Sequence, residues 1–297
     1  MDQKLTSFKW RPIRLSEPLS ISCIAITLIP ASLLTPILTK TKLHDMKTKK
    51  KIVIGVSALF FFIVAISLLP TSRKTIKTEH FTFVFSDKTD SQKVIEISKH
   101  IESNYLRIAR NLRTSPSKNI EINIHANRWN YIKATKHFGA SGIIVGPSKI
   151  HYIEKSLSES KQIAVHEFTH TVVLNLLINR ESQPFNSKMF DQRFSSFPVW
   201  LWEAISVYES EQFIDPNHLE DLRKGKYPSI DELDTRYKGQ KSYAYGYTLI
   251  EFILSKYGVE KLIELIENYG NLNKTLDITK EQFSKDWYVF VQKKYLK

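Results

Sequence analysis

The chain has 297 residues, 25% charged and 42% hydrophobic, with a formal net charge of +13 and one cysteine, so neither an intrachain disulfide nor a multi-cysteine metal site is available. Such a charge suggests nucleic-acid binding at first sight. Residues 1–74, however, hold 12 of the 43 basic and only 3 of the 30 acidic side chains, so the excess reads as membrane topology and not as a nucleic-acid surface.

Residues 18–38 form a first apolar stretch, interrupted by Pro18, Pro30 and Pro36 and containing Cys23. Residues 52–69 form a second one, 18 uncharged and mostly apolar positions, which is about the minimum for a membrane-spanning helix. Lys47, Lys49, Lys50 and Lys51 precede it, and only Arg73, Lys74 and Lys77 follow closely. The positive-inside rule then predicts a cell-membrane anchor over 52–70 with residues 75–297 outside the cytoplasm. Two variants keep that placement. Residues 18–38 and 52–69 can form a hairpin with a cytoplasmic loop over 40–51, or translation can begin at Met46, where Met-Lys-Thr-Lys-Lys-Lys opens an export-like sequence. A cleaved signal would leave residues 75–297 secreted, although no small-x-small cleavage site stands out after Leu69.

The outer part, about 220 residues, is long enough for one good-sized domain. It opens with a predicted strand over 80–85 and a predicted helix over 91–112, whose apolar positions include Val94, Ile97, Ile101, Tyr105 and Ile108. Residues 120–125 alternate, with Ile120, Ile122 and Ile124 on one face and Glu121, Asn123 and His125 on the other. Residues 141–153 are glycine-broken and strand-like. Within them 149–153 is the expected sheet edge, with His151 an ordinary polar strand residue.

A long, largely buried helix is expected from Ser158 to Ile178, with no proline or glycine. It carries His166-Glu167-Phe168-Thr169-His170. On a helix, positions i and i+4 share a face one turn apart, so both imidazoles can reach one zinc ion while Glu167 points at its open coordination position. A hydrolytic zinc site takes three protein ligands and a water. The candidate third ligand is Glu203, set in the apolar run Phe197-Pro198-Val199-Trp200-Leu201-Trp202-Glu203-Ala204-Ile205, because a carboxylate in such surroundings needs a cation or a donor. The bland alternative pairs Glu203 with an arginine or lysine. Glu209, nearly two turns on, is a possible oxygen partner for a histidine ring. After a polar loop over 179–197 and a charged connector over 215–240, helices are expected near 242–257, 259–269 and 280–295, the last capped by Thr279 with Gln282. The layout is α+β: a small mixed sheet followed by a mainly helical lobe.

These two segments resemble the glutamate zincins, or gluzincins, most closely the peptidase MA-like domains, whose pattern is HExxH followed some tens of residues later by P-x-W-L-x-E-G-x-A-x-Y. His166, Glu167 and His170 match the first part, and Pro198, Trp200, Leu201, Glu203 and Tyr208 the second. Ala204 replaces the usual glycine and Ser206 the usual alanine. The resemblance runs from about residue 78 to the C-terminus and implies a zincin-like fold. It also implies zinc held by His166, His170 and Glu203, with Glu167 as general base. A later tyrosine would donate to the oxyanion. Tyr243 is the matching position, with Tyr245 and Tyr247 as competitors.

The leading expectation is thus a membrane-anchored zinc metallopeptidase whose partner is a peptide or protein substrate. The competing classes are a zincin-fold binding or regulatory protein without catalysis, and a chance motif on an unrelated helical domain.

Overall fold

The computed structural model describes residues 72–116, 118–235 and 240–296, together with Gly55, Ser57 and Ala58. The apolar stretch 18–38 lies outside the described residues, and so, but for those three positions, does the anchor expected over 52–70. Among the described residues no helix is long and apolar enough to cross a membrane.

The first half of the domain alternates strands with helices: β1 (Arg73–Lys77), β2 (Phe81–Ser86), α1 (Ser91–Asn111), β3 (Ile120–His125), α2 (Arg128–Thr135), β4 (Gly142–Ile144), β5 (Lys149–Ile153) and α3 (Leu157–Asn179). The strands form one mixed sheet in the order β1-β2-β3-β5-β4. β2, β3 and β5 run parallel, and β1 and β4 run antiparallel to their neighbours. Alternation sets the inner face: Phe81, Phe83, Phe85, Ile120, Ile122, Ile124, Ile150 and Tyr152 are all buried. Phe81 meets Phe168 of α3 edge-on, with ring centroids 5.2 Å apart.

The other face is less open than the alternation predicts. Asn123 and His125 are buried as well. His125 Nε2 lies 3.0 Å from His151 Nδ1, and its ring meets Tyr131 of α2 edge-on. No helix is expected from the sequence over 128–135, yet α2 closes this face. The edge strand also differs from expectation. β5 is paired on both sides, by β3 and β4, so the edge is β4, a three-residue strand that turns back through Gly146–Ser148. The strand-like stretch 141–153 thus holds two strands, and one as short as β4 carries too little pattern to mark it as the edge.

The second half is helical: α4 (Ser187–Phe194), α5 (Val199–Glu209), α6 (Glu220–Arg223), α7 (Ile230–Leu233), α8 (Gln240–Glu267), α9 (Leu272–Leu276) and α10 (Lys280–Lys294). The helices expected over 242–257 and 259–269 are the two arms of α8, broken at Gly258, where φ is 83°. α4 falls inside the predicted polar loop. α5 packs closely on α8: a Cβ at Gly246 would lie 2.9 Å from Ala204 Cα, so the methyl of Ala204 is accommodated by a glycine across the interface. Asp234 accepts the Val199 N–H at 2.6 Å and caps α5 just after Pro198.

Candidate metal centre

α3 starts at a capping box in which Ser156 and Glu159 exchange hydrogen bonds. Ten positions into the helix its residues are buried on every side, so His166, Glu167 and His170 lie within protein. α5 crosses beside them and brings Glu203. One donor atom from each of His166, His170 and Glu203 lies within 4.8 Å of the others. Glu203 Oε2 is 3.2 Å from His166 Nε2 and 3.8 Å from His170 Nε2. Ligands about 2.0–2.1 Å from a tetrahedral zinc stand roughly 3.3 Å apart, so the two separations suit one ion with little adjustment.

The opposite ring atoms are also engaged. His166 Nδ1 lies 3.1 Å from Gln212 Oε1, and His170 Nδ1 lies 2.8 Å from Ser206 Oγ. With each Nδ1–H donating to its oxygen, both Nε2 lone pairs face Glu203, the tautomer a metal needs. Stacked rings hold the imidazoles in place: Trp202 covers His170 at 4.3 Å with planes 5° apart, and Tyr243 covers His166 at 5.5 Å and 13°. The donor set, its spacing and its outer partners therefore fit a divalent ion of zinc's kind.

Among the described residues Glu203 has no arginine or lysine as its ion pair; its partners are the two histidines and the Tyr243 hydroxyl. Burial alone would raise this carboxyl. The hydrogen bond from His166 and the charges of both rings reverse that and hold it well below the usual range. Burial likewise works against a proton on His166, but the bond to Glu203 and the neighbouring carboxylates outweigh it and raise the ring. His170 is pushed down to about 3, by burial first, so the metal-free site carries its proton on His166. Burial pushes Glu167 up to about 7, with Glu203 adding and His166 opposing. Burial and the nearby carboxylates raise Tyr243, which stays a protonated donor throughout the working range.

Of the three competing tyrosines, only Tyr243 reaches the site. Tyr245 is buried against Trp287, and Tyr247 packs on Tyr208 and Phe213. Glu209 does not serve a histidine: it accepts from Arg107 Nη1 at 2.6 Å and from Asn111, and so ties α5 to α1. The partners the sequence reading missed are Gln212, Ser206, Trp202 and Gly142. Ser206 stands three residues after Glu203 and shares its helix face, which is a usable signal. Gly142, on the edge strand, faces the Glu167 carboxylate so closely that a Cβ there would collide with it.

No family model matches the chain, and no curated protein matches it. The gluzincin resemblance therefore rests on its motif residues. A solved structure described as an aminopeptidase N family protein from Idiomarina loihiensis is similar at 12% identity and a TM-score of 0.34, over 74% of this chain and 41% of that one. The chain thus spans less than half the length of that protein, and the likeness is too slight to carry an argument.

Proposed function

We propose that this protein is a zinc-dependent metallopeptidase that hydrolyses peptide bonds. The observation that carries the reading is the convergence of His166, His170 and Glu203 beside a buried glutamate, with both histidines oriented from behind by Ser206 and Gln212. When bound, zinc supplies a Lewis acid for the scissile carbonyl and a water acidified to about pKa 7.

Glu167, buried on the same helix turn as His166 and His170, takes the proton of the attacking water and passes it to the leaving nitrogen. Tyr243, still protonated, donates to the oxygen that gains charge in the tetrahedral intermediate. β4 aligns the substrate. Ile153 N–H donates to Ser141 and Val145 N–H to the Lys149 carbonyl, so alternate residues spend their backbone groups on β5. Gly142 and Ile144 turn theirs to the open edge, where an extended peptide can add as a further strand beside Glu167. The missing side chain at Gly142 lets base and substrate backbone come together.

The apolar run 52–69 and the lysines before it support anchorage of this domain on the outer side of the cell membrane. The catalytic reading is tested by loading the protein with zinc and following cleavage of a mixed peptide library. Wild type should release new termini, the Glu167→Gln variant should bind zinc without doing so, and equal cleavage by both would remove Glu167 as the base.

A further inference from the structure

One end of the sheet collects several features that the catalytic reading leaves unused. In the strand register Arg73, the first residue of β1, pairs with Ser86, the last of β2. The C-terminal ends of β3 and β5 lie at the same end, since β2, β3 and β5 run parallel. From that end the chain enters α2, and through the loop 136–141 it returns to β4, whose Gly142 pairs with Tyr152. Here two large apolar side chains stand in solvent: Trp129 is 59% exposed and Phe138 62%. The start of α2 and the loop that carries Phe138 are tied together, because Arg128 donates to the carbonyls of Phe138 and Ala140. Trp129 and Lys133 lie one turn apart on the exposed side of α2, with Lys136 at its C-cap. Residues 126–140 carry Arg128, Lys133 and Lys136 and no acidic side chain. Of the acidic groups at this end, Asp87 and Asp90 belong to the turn before α1, and Glu154, just after β5, is paired with Lys93 and accepts from Thr89.

An exposed indole and phenyl ringed by cations match the interfacial zone of a bilayer, where aromatic rings sit at headgroup level and basic side chains meet anionic lipid. The sequence outside the described domain points the same way. The apolar run 52–69 ends only a few residues before Arg73, so the chain enters the domain at the end of the sheet that bears these aromatics.

We infer that α2 and the loop after it form a docking face for an anionic lipid surface, with Trp129 and Phe138 entering the headgroup layer and Arg128 and Lys136 meeting lipid phosphates. The inference rests on the anchor proposed above and is tested so that the two fail separately. The full chain, with Cys23→Ser and Phe138→Cys, carries an environment-sensitive dye at 138. It is reconstituted in vesicles of phosphatidylcholine alone or mixed with phosphatidylglycerol. Flotation with the vesicles reports the anchor, and the dye reports docking. On the mixed vesicles the emission should shift to the blue and be quenched by spin-labelled lipid. Adding Lys136→Gln should lower the docked-to-free ratio about fivefold. The same dye at Leu106→Cys is the control, because Leu106, 63% exposed, lies near the far end of α1 and should report water throughout. Flotation with a dye at 138 that stays in water overturns the docking face and leaves the anchor standing, and a dye that responds only to added peptide makes Trp129 and Phe138 walls of the substrate groove. A chain that does not float overturns both, and an equal response at 106 overturns the orientation.

Discussion

Each ligand of the proposed centre has a second residue behind it, and those residues set how firmly a metal is held. Ser206 and Gln212 fix the tautomers of His170 and His166, so Ser206→Ala and Gln212→Ala should each weaken zinc binding about 10- to 100-fold, read by competition with a chelator. Glu203→Ala should cost more, since it removes a ligand and leaves two buried rings without their anion. The proton on His166 gives the site a pH dependence with a definite sign. His166 is raised above its ordinary 6.5 in the metal-free protein, and zinc must displace that proton. Affinity should therefore climb with pH until His166 has lost its proton and fall as pH drops below that point. Calorimetry in two buffers of different ionisation enthalpy should show proton release at neutral pH; no buffer dependence would contradict the His166–Glu203 pairing. At this scale much of the site is legible from sequence, because metal chemistry restricts both residue type and spacing: His166, Glu167, His170 and Glu203 stand out for that reason. Gln212 does not. It reaches His166 only because the chain turns through Glu211 at a φ of 57°, a conformation with no mark in the sequence. The tyrosines compete equally on sequence and are separated by packing alone.

Among the elements, the shortest has the sharpest consequence. β4 is three residues long, yet Gly142 leaves the space that Glu167 occupies, so Gly142→Ala should displace the base, cutting turnover by about 10²-fold or more while zinc content holds at wild-type level. Loss of zinc in that variant would instead mean that β4 supports the whole site. The sheet's other face adds a stability prediction. His125 and His151 are both held down to about 4, by burial first, so in the folded protein they stay neutral below the 6.5 at which an unfolded chain begins to protonate. The unfolded state then binds more protons as pH falls from 6.5 towards 4. Stability should drop across that window by on the order of 3 kcal/mol, after discounting for the contact between the two rings. Denaturant unfolding should show a shallower drop in His151→Gln; an identical slope would remove the pair as its source. α2, which covers those rings, is invisible in the periodicity, as is α4, and β4 is legible only as part of the strand-like stretch 141–153 and not as the sheet edge. α1, β3, α3 and α5 are visible because each buries a face or a whole girth of apolar side chains.

For the molecule as a whole, composition separates two tasks. The front supplies most of the net positive charge and the apolar stretch, and the described domain is a five-stranded sheet with a helical remainder that brings two distant segments together at one centre. His166 and Glu203 are 37 positions apart, and the intervening loop and α4 swing the chain back so that α5 crosses α3. The coupling between α5 and α1 belongs to this scale too. Glu209 is buried and held by Arg107, so Arg107→Ala strands a carboxylate and should cost about 2–4 kcal/mol, with zinc affinity changing little in the protein that remains folded.

The central claim is a metal held by two helices. Elemental analysis of the purified, zinc-loaded chain, beside the His166→Ala variant, tests it most directly. The account predicts about one zinc per chain in the wild type and a small fraction of that in the variant. Folded wild-type protein that takes up no zinc, or a variant that retains it fully, would contradict the account and leave His166, His170 and Glu203 as a buried hydrogen-bonded cluster.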